Sequence, residues 1–328
     1  MTRTRLGLFA FALDLMLAGC GSHSETSQQL VVLHVADQLK TLQSTLAAAG
    51  DDTPSSYRIE WSNFLGGPNI IAAATGRSID VGWMAETPLV FAQAAGSPVK
   101  VIAAASRVDP RTSNIAIVVA NDSPIHSVAE LRGKKVSFLP GTITQYLVVR
   151  AIEQAGLKLS DIQQVTLTSM SPSVLTGGTT DAITTADPML SQMLRNGQAR
   201  ILVAGGAPLT TDFSYLVAAN GALDDPRLSA AIGDFTVRLA RAIRWQREHL
   251  PDAIKTYAQI YQVPPEVAED ALKRAPSRFG PIGSFVIDGQ QAESDTFERL
   301  GLIRSHMDAA KLFDHRYDEQ IAKVEAAP

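Results

Sequence analysis

The sequence predicts an α/β protein of two α/β lobes with a helical C-terminal part. Three observations carry that expectation. Short apolar runs alternate with helically spaced segments as far as about residue 205, the pattern of βαβ units and a mostly parallel sheet. A weak repeat runs through them: Ser78-Ile79-Asp80-Val81 leads through Glu86-Thr87-Pro88-Leu89 to Val101-Ile102, and Thr180-Asp181-Ala182 leads through Ala186-Asp187-Pro188-Met189-Leu190 to Ile201-Leu202. Two similar halves imply two lobes of one local architecture. Beyond about residue 225 the strand signals fade and helical spacing takes over.

Taken in order, residues 30–36 form a short apolar run and 38–49 carry helical spacing. Residues 57–64 are strand-like, 68–75 helical, 79–84 strand-like, 88–95 helical and 99–105 strand-like again. The second series runs through 115–120, 135–139, 144–155, 163–168, 181–185, 188–196 and 200–204. Helices are expected at 228–250, 251–262, 264–274 and 289–304. The polar, turn-forming stretch 107–114 (RVDPRTSN) is expected to cross between lobes. Lobe I is therefore placed at 30–108 and 206–328, and lobe II at 109–205.

With 45% hydrophobic residues the chain can fill a core, which excludes wholesale disorder. A net charge of -4, from 29 basic and 33 acidic residues, leaves no basic footprint for nucleic acid. Aromatic residues at 6% offer no platform for stacked bases. The single cysteine, Cys20, excludes an internal disulfide, a Cys-rich zinc site or an iron–sulfur cluster. Met1, Arg3 and Arg5 precede an apolar run at 6–17 that is too short to span a membrane and is interrupted by Asp14. The run ends in Leu17-Ala18-Gly19-Cys20, which resembles the bacterial lipobox, and Gly21-Ser22-His23-Ser24 follows as a polar tether. The expectation is a lipoprotein signal peptide at 1–19, a tether at 20–29 and a lipid on Cys20. Such a protein is exported and held at a membrane surface without spanning it.

Several helix starts point to one place. Pro68, Pro88 and Pro188 each stand where a helix should begin, since the missing N–H of proline is no loss there. Thr87 and Asp187 are natural N-caps. A further start, Pro140-Gly141-Thr142-Ile143-Thr144-Gln145-Tyr146, directly follows the strand-like run 135–139. In open parallel sheets the strand C-termini and the helix starts after them line one crevice. Free N–H groups and partial positive charge there suit an anion, even in an acidic chain. Catalytic patterns are absent: there is no G-x-S-x-G, no G-x-x-x-x-G-K-[ST], no G-x-G-x-x-G after a strand and no H-E-x-x-H. No catalytic residue, metal or cofactor is therefore expected. Asp80, Glu86, Asp181 and Asp187 fall near strand ends and are expected to form turns and caps in preference to a carboxylate pair.

The stretch 78–96 (SIDVGWMAETPLVFAQAAG) resembles a segment of the aliphatic sulfonate-binding proteins of ABC importers. Residues 121–125 (NDSPI) and 128–138 (VAELRGKKVSF) resemble the start of that family's second lobe. Residues 140–156 (PGTITQYLVVRAIEQAG) are similar to its ligand-binding turn and helix, and 289–303 (GQQAESDTFERLGLI) to its C-terminal helix. The resemblance implies a type II periplasmic binding protein fold, two α/β lobes joined by two crossover segments, with the ligand in the cleft. It also implies a membrane permease and its ATPase as partners. Carried over position by position, the family site falls near Asp37 and Gln38, on Gly66, Gly67, Pro68 and Asn69, on Glu86 and Thr87, on Gly141, Thr142, Thr144, Gln145 and Tyr146, and on Ala186 and Asp187. The family usually has Trp where this chain has Ala186, and commonly His where it has Gln145.

The expected protein is a monomeric, lipid-anchored, extracytoplasmic solute-binding component. It captures a small organic anion, an aliphatic or aromatic sulfonate before other anions, and performs no chemistry. Thr142, Thr144 and the amides of the Gly141 turn would hold the anionic oxygens. Asn69, Thr87, Gln145 and Tyr146 would complete the polar shell, and Ala186 would leave room for the tail. Nitrate, a thiamine-precursor pyrimidine or a carboxylate are alternative ligands. A sulfinate-cleaving enzyme on the same fold is a further alternative, but it needs a reactive Cys or His in the cleft.

Overall fold

A computed structural model of the chain describes residues 30–166 and 173–327, the side chain of Thr176 excepted. The expected signal peptide, tether and Cys20 lie outside the described residues. The first sheet is built from β1 (Val31–Asp37), β2 (Tyr57–Asn63), β3 (Val81–Ala85) and β4 (Val99–Arg107). Between them run α1 (Thr41–Ala49), α2 (Gly67–Thr75) and α3 (Thr87–Ala94). The chain then builds a second sheet from β5 (Ile115–Ala120), β6 (Lys135–Phe138), β7 (Gln163–Thr166), β8 (Ala182–Ala186) and β9 (Ala199–Ala204). Its helices are α4 (Ile143–Gln154), the short α5 (Ser173–Thr176) and α6 (Met189–Arg195). β10 (Ser214–Ala219) returns to the first sheet. Then follow α7 (Asn220–Asp224), α8 (Pro226–Glu248), α9 (Leu250–Tyr261), α10 (Pro265–Arg274), β11 (Ser277–Gly280), α11 (Ser284–Arg299) and α12 (Asp318–Ala326).

Strand order is β11-β4-β10-β3-β1-β2 in one sheet and β7-β6-β8-β5-β9 in the other. Apart from the added edge strand β11, the two orders are the same. In each, two parallel pairings are followed by an antiparallel strand arriving from across the molecule, β10 in the first and β5 in the second. The weak repeat in the sequence is this shared βαβ unit. Asp80 and Asp181 show it atom for atom: the Asp80 carboxylate accepts from the His34 amide at 2.8 Å, and the Asp181 carboxylate accepts from the Lys135 amide at 2.8 Å. Both acids tie the turn before a central strand to its neighbour, so they are turn formers, as expected.

β3 (VGWMA) and β8 (AITTA) are buried along nearly their whole length, which is why they read as continuous runs and not as alternating ones. Two connections join the sheets, one between β4 and β5 and one between β9 and β10. The main core lies under the first sheet and includes Tyr215, Phe235 and Phe279. A second core under the other sheet also takes in Val90 of α3 and Phe297 of α11. Phe297 stacks obliquely on Tyr146, with ring centroids 5.7 Å apart, and meets Phe91 edge-on at 5.0 Å. α3 and α11 thus seal one flank between the sheets.

The sequence predicts a helical tail without strands, and here the structure differs. β11, α12 and the return strand β10 carry no signal strong enough in the sequence, and α11 begins five residues earlier than the spacing predicts. β11 has four residues and pairs at a sheet edge, where backbone pairing to β4 replaces a side-chain pattern.

Candidate ligand-binding cleft

The carboxyl ends of the central strands of both sheets, and the helix starts after them, enclose one cavity with an empty volume of ≈ 730 Å³, part of it open to solvent. From the first sheet's side come Gln38, Leu39, Phe64, Leu65, Gly66, Gly67, Ala85 and Pro88. From the second come Ile115, Leu139, Thr142, Ile143, Thr144 and Ala186. This is where ligands sit in open α/β sheets, outside the strand ends. The wall is mostly apolar. Only Gln38, Thr142 and Thr144 bring hydrogen-bonding side chains, and none of the lining residues is ionisable.

Each lining element has a local cause. After β1 the chain bends through Leu39 and Lys40, both in the left-handed region at φ 52 and 55. Asp37 holds that bend: its carboxylate accepts from the amides of Gln38 at 2.7 Å, Leu42 at 3.1 Å and Gln43 at 3.0 Å. Burial pushes the Asp37 carboxyl up to about 6, against the lowering effect of those amides. Gln38 is thereby presented to the cavity, with its Nε2 donating to the Trp83 carbonyl at 2.9 Å. Gly66 caps α2 at φ 80 and ψ 152, a conformation open essentially to glycine alone. A Cβ on Gly67 would come within 2.4 Å of Pro88, so this start of α2 must be glycine to lie against α3.

The sequence predicts that the turn before α4 holds the anion through its threonine hydroxyls and the backbone amides of the Gly141 turn. In the structure those hydroxyls are already engaged. Thr142 Oγ1 donates to the Leu139 carbonyl at 2.6 Å and lies 2.8 Å from Thr144 Oγ1, which accepts from the Leu139 amide at 3.3 Å. The Gly141 amide is spent on Gln145 Oε1 at 2.7 Å. The first amides to bond within the helix are those of Gln145 and Tyr146, both to the Thr142 carbonyl. The amides of Ile143 and Thr144 therefore have no intrahelical acceptor and stand at a positive helix end. They are the donors the cavity offers.

Of the residues singled out for the site in the sequence, Gln38, Gly66, Gly67, Thr142, Thr144 and Ala186 line the cavity. Others do not. Asn69 is exposed and turns its amide back to the Leu65 carbonyl at 2.7 Å. Gly141, Gln145 and Tyr146 brace the turn and the aromatic seam behind it. Burial pushes the Tyr146 hydroxyl up to about 12. Glu86, not Thr87, occupies the cap position of α3, without a side-chain cap bond. Glu86 accepts from Thr211 Oγ1 at 2.7 Å, and Thr87 donates to Glu293. Neither faces the ligand space. Asp187 precedes the cap position of α6, which Pro188 holds. Its Oδ1 accepts from the Ser191 amide and hydroxyl at 3.0 and 2.6 Å, and its Oδ2 from Arg274 at 3.0 Å. Both oxygens are therefore bonded within the protein, and Asp187 is not among the residues lining the cavity.

Leu39, Phe64, Leu65, Ile115 and Leu139 line the cavity without having been singled out in the sequence. Ile115 and Leu139 stand at the ends of apolar runs, so the strand-end rule could have found them. A carboxyl pair does form, but between Glu86 and Glu293, whose partner residue lies on a helix far along the chain. Burial raises both; the Glu293 charge raises Glu86 further, and the Asp212 charge raises both. Next to the cavity lies a second chamber of ≈ 710 Å³ that shares Gln38, Leu39, Ala85, Ile115 and Ile143 and adds Trp83, Arg107 and Asn114. The Arg107 guanidinium there is bonded to Asn114, Ser277 and the Ala275 carbonyl, tying the two sheets at the first connection.

Two sheets of one strand order, each receiving a strand from across the molecule, with a cavity between their carboxyl ends, define the periplasmic binding protein fold. Within it, the chain belongs to the aliphatic sulfonate-binding protein family. The NMT1/THI5-like family model matches residues 67–203. An aliphatic sulfonates-binding protein of Escherichia coli (strain K12) is 31% identical over 253 residues, covering 76% of this chain and 77% of that one. The alkanesulfonate-binding protein SsuA from Xanthomonas axonopodis pv. citri, solved bound to MOPS, is similar with a TM-score of 0.76 at 27% identity, over 87% of this chain and 98% of that one. The periplasmic aliphatic sulphonate binding protein SsuA from Escherichia coli gives a TM-score of 0.73 at 28% identity, over 86% and 92% of the two chains.

Proposed function

We propose that this protein is the solute-binding component of an ABC importer and captures an organosulfonate between its two lobes, without chemistry. The observation that carries the reading is the contrast within one cavity: free amides at the start of α4 on one wall, apolar side chains over the rest. An anionic head and an apolar tail match that contrast. The head would accept from the Ile143 and Thr144 amides, and from Gln38 after rotation. The tail would lie against Leu39, Phe64, Leu65, Ile115 and Leu139. Residues 30–108 with 206–328 would form one lobe and 109–205 the other, closing on the ligand about the two connections. The names of the relatives support a sulfonate ligand.

Titration calorimetry with a straight-chain series from methanesulfonate to octanesulfonate tests this reading. Binding should tighten with chain length until the apolar wall is filled, at about 0.8 kcal/mol per buried methylene. Sulfate should bind weakly, since it has no tail. No heat with any sulfonate overturns the reading. Ala186, where the family has Trp, widens the wall, so Ala186→Trp should favour the short members and exclude the long ones. An unaltered length preference would remove position 186 from the tail pocket.

The protein would work outside the cytoplasm as a monomer, anchored by lipid on Cys20 and delivering to a permease and its ATPase. Among the described residues no helix is long and apolar enough to cross a membrane. Cys20→Ala should abolish incorporation of labelled fatty acid. Label on the variant would exclude the lipoprotein.

A further inference from the structure

α6 follows the second sheet's central strand, and α10 packs on α9 beside the first sheet; the two helices meet. They are joined by two ionic rungs. In the first, Arg274 Nε meets Asp187 Oδ2 at 3.0 Å and Arg274 Nη2 donates to Ser191 Oγ at 3.0 Å. One turn away, Arg195 at the end of α6 grips both oxygens of Asp270 on α10. The rungs run in opposite senses, so the helices lie antiparallel. The first rung is the sheltered one: the Asp187 side chain is 4% exposed, against 36% for Asp270. Its acid directly follows the cavity residue Ala186, and the Asp187 amide donates to the Asn114 carbonyl at 2.9 Å, at the first connection between the sheets.

We infer that these two rungs are a latch that holds the cleft shut over its ligand, with Arg274 a positioning residue that acts through Asp187 on the Ala186 wall. The inference rests on the reading that the cavity holds a sulfonate. It gives Asp187 a different task from the one its place in the family's site implies. A carboxylate beside an anion would repel it, and this one accepts from Ser191 and Arg274 through both of its oxygens. Each rung joins an element of one sheet to an element of the other. Both therefore form only when those elements are together, which is also the state in which one ligand can touch both walls. Latch and ligand then stabilise the same state, and each strengthens the other. Sheltered ion pairs of this kind act on dissociation, while association is governed by encounter with the open form.

The test is stopped-flow fluorescence of the whole protein with 1-butanesulfonate, read through Trp83 beside the cavity. Arg274→Met should raise koff tenfold or more and leave kon within twofold, and Arg274→Lys should recover part of the loss. Truncation of Arg274 leaves a buried carboxylate, so the exposed rung supplies a second variant set. Arg195→Asp should raise koff several-fold, and Arg195→Asp with Asp270→Arg should return it to within twofold of the wild type. An unchanged koff in Arg274→Met, or a swap that fails to restore Arg195→Asp, overturns the latch while leaving the ligand reading intact. Wild-type protein that does not bind butanesulfonate overturns both.

Discussion

Glu293 is a carboxyl with 1% of its surface exposed, beside Glu86 with none. Burial pushes it up to about 8 from an ordinary value of 4.5, while the Thr87 hydroxyl works in the other direction. The folded state therefore holds a proton that the unfolded chain releases near its ordinary value. Stability from this proton is complete below about pH 4.5 and is lost as pH rises towards about 8. Glu293→Gln keeps an acceptor for Thr87 and has no proton to lose. The variant should gain on the wild type by roughly 4 kcal/mol between pH 5 and pH 9, since each tenfold change in proton affinity on folding corresponds to ~1.4 kcal/mol. Urea melts across that range check it, and parallel curves for the two proteins would show that Glu293 is not protonated when folded. The sequence hid this pair because the two acids lie far apart along the chain and meet only through packing of α3 against α11. Glu86 alone reads as a turn former.

The start of α4 shows what an element contributes beyond its side chains. Thr142 is extended, at φ -128 and ψ 168, and Ile143 is the first helical residue. Proline suits that first position, and the residue before it prefers the extended conformation Thr142 already has. Ile143→Pro should keep the helix and remove one free amide from the cavity. Because a hydrogen bond to a charged group is worth about 1.5–3 kcal/mol, affinity for butanesulfonate should fall by about tenfold or more beyond the effect of losing the Ile143 side chain, which packs in the second core. Ile143→Ala is the control for the lost side chain, and equal affinities for the Pro and Ala variants would take this amide out of the site. The helix start and its place after a strand were legible in 135–146. Which donors it leaves free was not, because Thr142 and Thr144 can as well face a ligand as bond the turn, and only the position of the Leu139 peptide decides.

At the scale of the whole molecule, Gly66 and Leu139 bring the two sheets together at the cleft. A Cβ on Gly66 would lie 2.7 Å from Leu139 Cδ2 and 3.7 Å from Thr142 Cγ2. Gly66 also sits at φ 80, where a side chain is strained. Gly66→Ala should cost about 1–3 kcal/mol of stability through that strain. It should also move the Leu139 side chain, whose end meets the added Cβ, from its place in the cavity wall and weaken butanesulfonate binding several-fold. Urea melts and calorimetry measure the two effects, and wild-type affinity would show that this part of the wall does not touch the ligand.

The alternation of strands and helices, the repeated βαβ unit and the helix starts at one end of the sheet were all written in the chain. Each depends on residues within a turn or a strand of one another: Pro88 and Pro188 after their strands, Asp80 and Asp181 before them, and the apolar run of β3. The resemblance in 78–96 and 140–156 reached the family for the same reason, since contiguous segments keep their order. What tertiary structure alone decided is how groups distant in sequence use one another. It put β10 between β3 and β4, turned Asp187 from the ligand to Arg274, faced Glu86 with Glu293, and gave the cavity to Leu39, Phe64 and Leu65. Local pattern reports the conformation of a segment, because the neighbours that set it are a few residues away. The partner of a buried charge is set by desolvation, which forces it onto whatever group the fold brings within reach.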